Sequence, residues 1–95
     1  MDFWEAFMQK EYAVRVDSQA EHDVFMEELR EHISLEYGHM WNASYPYLYW
    51  ASDHVGGWTG TSWTYVKQKI TFAQWCEMIT ASAEDTLQPD LSEVI

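Results

Sequence analysis

The 95-residue chain predicts an α+β domain, a small antiparallel sheet of about three strands packed against helices in the order α-β-α-β-β-α. Three observations carry this expectation. Two segments open with a helix-capping box and continue with apolar residues three and four apart. Short runs rich in Tyr, Trp and Val alternate in the manner of strands. Stretches bearing glycine and proline separate them and suit turns.

Phe3 and Phe7, four apart with Trp4 and Met8 beside them, predict a short amphipathic helix over 2–9. Tyr12 to Val16 alternates and reads as a strand. Ser18-Gln19-Ala20-Glu21 is a capping box in which Ser18 caps the third helical amide and Glu21 reaches back. It opens a helix to about Ile33, with Phe25, Met26, Leu29 and Ile33 as the buried stripe. Gly38 marks a turn candidate, and Pro46 to Ser52 is strongly strand-like. Gly56-Gly57 and Gly60 read as a flexible turn region, with Ser62 to Val66 as the return strand of a long-looped hairpin. Thr71-Phe72-Ala73-Gln74 is a second capping box, opening a helix that turns Phe72, Trp75, Cys76 and Ile79 inward. The length suits a single domain over 1–83, with an acidic, frayed tail over 84–95.

A chain this short buries only about 60–65% of its unfolded surface. Six Trp, six Tyr and four Phe compensate, since each ring buries roughly 150–250 Å². That aromatic load separates the chain from a disordered acidic tail.

Sixteen Asp and Glu oppose five Lys and Arg, a formal net charge of −11. Such a balance argues against direct binding of nucleic acid or of an anionic membrane, both of which need basic patches. Its natural counterpart is a basic protein surface. Five of the sixteen acids lie on the helix over 18–33, against one base, Arg30. At about 100° per residue, Glu21, Asp23, Glu27, Glu28 and Glu31 fall in one arc, opposite the apolar stripe. Asp23, Glu27 and Glu31 form a ladder with steps of about 6 Å. Like charges so spaced destabilise a helix by about 0.2–0.5 kcal/mol per pair, and only Arg30 offsets them locally. A solvated face is the ordinary meaning of such a pattern. Its spacing also approaches the charge repeat of a nucleic-acid strand, so the row suits a groove built for phosphates.

Residues 41–65 hold eight aromatic rings: Trp41, Tyr45, Tyr47, Tyr49, Trp50, Trp58, Trp63 and Tyr65. Most are expected in the core. Trp58, set among glycines, is the best candidate for an exposed anchor of the kind common at protein interfaces.

No catalytic constellation emerges. His22, His32, His39 and His54 form no ligand pair at zinc-finger spacing and no H-E-x-x-H. His22 and His32 fall on the apolar side of their helix, where a satisfied, partly buried histidine is expected. The glycine-rich stretch lacks the Gly-Lys-Ser/Thr ending of a phosphate loop. Cys76 is the lone cysteine and reads as a small buried hydrophobe, in the wrong setting for an exposed thiolate. No cofactor or metal is expected, and a binding role is expected in place of an enzymatic one. Met1-Asp2-Phe3-Trp4-Glu5 has no basic, apolar signal character, no run approaches a membrane span, and a cytoplasmic setting follows as the expectation.

Several of these segments together resemble small accessory proteins encoded by bacteriophages. They are Ala13-Val14-Arg15-Val16, the capped acidic helix, Met40-Trp41-Asn42-Ala43-Ser44, the Tyr-rich strands and the closing Ile70-Thr71-Phe72-Ala73-Gln74-Trp75, and the resemblance covers roughly residues 12–79. Some small acidic phage proteins inhibit host defence, among them anti-restriction and anti-CRISPR proteins and other DNA mimics. The resemblance therefore implies an inhibitor in the host cytoplasm. Its partner would be a nucleic-acid-handling or defence protein with a basic groove, met through Glu21, Asp23, Glu27, Glu28 and Glu31 with Trp58 as anchor. The N-terminal helix lies outside the shared layout and is a candidate specificity element. The alternative is a protein-interaction module or small homo-oligomer, such as a homodimer, that uses an aromatic sheet surface.

Overall fold

Asp2 and Ser18 set where the first two helices begin. In the computed structural model, which describes residues 2–61 and 66–81, Asp2 accepts the Glu5 amide at 2.9 Å and starts α1 (Phe3–Met8). Lys10, at φ 63°, turns the chain into β1 (Tyr12–Arg15). Ser18 then accepts the Glu21 amide at 3.2 Å and starts α2 (Gln19–His32). The reciprocal half of this cap falls one residue earlier than expected: the Glu21 carboxylate accepts from the Asp17 amide at 2.8 Å.

The return to the sheet runs through a loop that ends at a turn on Asn42. There the Asn42 side chain accepts the Ser44 amide and its carbonyl accepts the Tyr45 amide, both at 2.9 Å. The Trp41 indole donates to the Val16 carbonyl at 3.2 Å and ties the loop to the end of β1. β2 (Tyr47–Trp50) and β3 (Val55–Trp58) then form a short hairpin, closed by the Ala51 amide donating to the His54 carbonyl at 2.8 Å. Lys10 and Glu11 carbonyls receive the amides of Lys67 and Gln68 and lead into β4 (Gln68–Thr71). Thr71 and Gln74 complete a reciprocal capping box, amide to side chain in both directions at 2.8 and 3.1 Å, and open α3 (72–81).

The sheet has four strands in the order β3-β2-β1-β4 and is mixed. β1 pairs antiparallel with β2 and parallel with β4, so the expectation of three antiparallel strands is corrected on both counts. The α+β class stands. Gly56-Gly57, expected in a turn, lies inside β3, opposite Tyr49 and Leu48. The strand expected from Ser62 and the tail expected over 84–95 fall outside the described residues, except that Val66 is buried and belongs to no strand.

Register assigns the two sheet faces. Val14, Leu48 and Ile70 share the helix-covered face and are buried with Phe7, Phe25, Leu29 and Trp75. Trp75 sits at the centre, within 6.4 Å of the Phe3, Trp4, Phe25 and Phe72 ring centroids. α1 is thus part of this core: Phe3, Trp4 and Phe7 are all buried, while Glu5 and Met8 on its other face stay exposed. The opposite face holds a smaller cluster of Ala13, Trp58 and Val66, packed by Tyr47 and Tyr49. Gly56 leaves room there for the Tyr49 ring, which a β-carbon would meet at 2.8 Å.

Candidate functional site

The capped start of α2 and its buried stripe fix which way the carboxylates point. Phe25, Met26 and Leu29 are at most 1% exposed, so residues on the far arc face solvent. Asp23, Glu27 and Glu31 are exposed there and form the i, i+4, i+8 ladder. Among the described residues, no Lys or Arg lies within ion-pair distance of any α2 carboxylate; the bases that pair do so elsewhere, Arg15 with Asp17 and Lys67 with Glu11. The carboxylates are unequal. Glu21 is half-buried and occupied by the Asp17 amide. Asp23 accepts the Gln19 amide at 2.7 Å, and Glu28 lies 3.9 Å from His32 Nε2. Glu27 and Glu31 keep the freest carboxylates of the row.

Trp58 is no exposed anchor. It is 5% exposed, pairs with Tyr47 across β2 and β3, and lies beneath the Lys69 ammonium at 5.6 Å. Among the described residues, three of the five exposed large apolar side chains lie in the loop after α2, the others being Met8 on α1 and Val24 on α2. Tyr37, Met40 and Tyr45 are 63, 87 and 47% exposed. No periodicity marks this loop in the sequence, so its exposed side chains carry no sequence signal.

Beside the ladder, α2 and this loop enclose a cleft of about 400 Å³, lined by Gln19, His22, Asp23, Met26, Glu27, Arg30, His39 and Met40. His22, expected to be a satisfied histidine, is 3% exposed, and its Nε2 lies 3.0 Å from His39 Nδ1. Burial holds His39 below the usual histidine range, and the nearby His22 and His54 add to this. His32 is half-exposed and stacks on Trp4, with centroids 5.4 Å apart.

No family model matches this chain, and no curated protein or solved structure is found similar to it.

Two further groups bear on chemistry. Glu28, Glu31 and His32 bring one ligand atom each within 4.8 Å at the surface, an arrangement common in exposed acidic helices without an ion. Burial pushes the Cys76 thiol up, with the charge of Glu21 adding to it, so the thiol form dominates at neutral pH. Among the described residues, no helix is long and apolar enough to cross a membrane.

Proposed function

We propose that the chain binds a partner protein by laying the α2 carboxylate ladder into a basic groove that otherwise holds nucleic acid. In the setting the sequence resemblance implies, it is a phage-encoded inhibitor of a host nucleic-acid-handling or defence protein. The observation that carries the reading is the row Asp23, Glu27 and Glu31, exposed on one face with no Lys or Arg partner among the described residues. Repulsion along such a row costs the isolated helix stability and is relieved when a cationic groove covers it. Tyr37, Met40 and Tyr45 replace Trp58 as the apolar anchor beside it.

The test is capture of partners from bacterial lysate on tagged protein, at low and high salt and with DNA as competitor. The reading expects a nucleic-acid-binding protein, released by salt and by DNA. Glu27→Lys with Glu31→Lys is expected to abolish capture while the fold persists. Binding that survives the double charge reversal sinks the mimic mechanism.

The same exposed loop favours a second reading, an interaction module that works through apolar contact. It expects capture, or self-association in size-exclusion chromatography, that is indifferent to salt and lost in Tyr37→Ser with Met40→Ser.

A further inference from the structure

We infer that His22 and His39 form a binding site for a single late first-row divalent cation of the zinc type, which pins the 33–46 loop onto α2. The inference is independent of the ladder's role.

His22 Nε2 and His39 Nδ1 face each other at 3.0 Å. Two nitrogens held at about 2.0–2.1 Å by one tetrahedral zinc stand about 3.3 Å apart, so the ion replaces the hydrogen bond between the rings at a shift of a few tenths of an ångström and a turn of each ring toward it. Behind the His22 ring, Nδ1 lies 3.5 Å from Asp23 Oδ1, an oxygen that also accepts Gln19 Nε2; this contact is expected to shorten when the imidazole takes a metal on its other nitrogen. Gly57 of β3 provides the space for His39, since a β-carbon there would stand 3.3 Å from Nε2. The pair opens on the cleft, which gives an entry path and room for water as the remaining ligands. Asp23 and Glu27 line the entry and outweigh the single positive charge of Arg30, while Met26, one turn on from His22, closes the floor.

The experiment titrates zinc chloride into metal-free protein at pH 7.5, read by calorimetry and by thermal unfolding. One saturable ion per chain is expected, with a raised Tm. His39→Gln, at a half-buried loop position, is expected to keep the fold by circular dichroism and to abolish binding, and His22→Gln is expected to abolish it likewise. Asp23→Asn is expected to weaken it roughly tenfold. Glu28→Gln with Glu31→Gln, which disarms the exposed acidic group on the same helix, is expected to leave it unchanged. Failure to saturate at one ion, binding that survives His39→Gln, or binding lost with Glu28 and Glu31 overturns the site.

Discussion

Several side chains carry more than their type advertises. Gly60 sits at φ +88°, and a β-carbon there would stand 2.5 Å from the Tyr47 ring. Gly60→Ala thus meets both a disfavoured backbone and a displaced aromatic, and is expected to cost about 1–3 kcal/mol, read from the urea midpoint. His39 gives a pH signature. Its folded-state pKa lies below the unfolded value of about 6.5, so the fold favours the neutral ring. The stability that follows is fully present above that value and is lost as pH falls through the lowered one. Burial is the main cause, and the nearby His22 and His54 add to it. Between pH 7 and 5 the wild type is expected to lose more stability than His39→Gln, by chemical denaturation at each pH; parallel curves would show that the ring titrates as if unfolded. A turn at Gly60 and a partly buried His22 are legible in the sequence, but the contact between His22 and His39 is not, because the loop after α2 that carries His39 back has no periodicity.

Elements were more readable than their pairing. Both capping boxes, the apolar stripe of α2 and the strands at Tyr12 and Tyr47 follow from local chemistry, which is why they could be placed without tertiary information. β3 was missed because glycine usually marks turns. Here Gly56 and Gly57 give way to neighbours, the ring of Tyr49 over one and Tyr45 and His39 against the other, so the packing comes from across the strand. β4 was missed because Gln68-Lys69-Ile70-Thr71 has one buried apolar residue; the stem of Lys69 carries its ammonium to Tyr47 and Trp58. At this scale the acidic face separates folding from recognition. Glu27→Lys with Glu31→Lys replaces the Asp23–Glu27 repulsion by an attraction and leaves residues 27 and 31 like-charged, so Tm is expected to stay within a few degrees of wild type. A large drop would show that these carboxylates hold the fold.

For the whole molecule, a net charge of −11 on so short a chain sets a repulsion that the aromatic core must outweigh. Salt screens it. The Tm is therefore expected to rise when sodium chloride goes from about 20 to 500 mM, even though the same salt weakens capture of a basic partner. A Tm that falls with salt would mean that attractive pairs such as Lys67–Glu11 outweigh the excess acid.

The parallel pairing of β1 with β4 also bears on how the chain is made. Tyr12 finds its strand partner in Gln68, and Phe3 and Trp4 find one of their ring neighbours in Trp75. At a synthesis rate of about 5–20 residues per second, the ribosome takes roughly 4–15 seconds to pass from the first segment to the last. Throughout that interval Phe3 and Trp4 have their earlier neighbours Tyr12 and Phe25 but lack the Trp75 ring, so this side of the core is open to chaperones before β4 and α3 close over it.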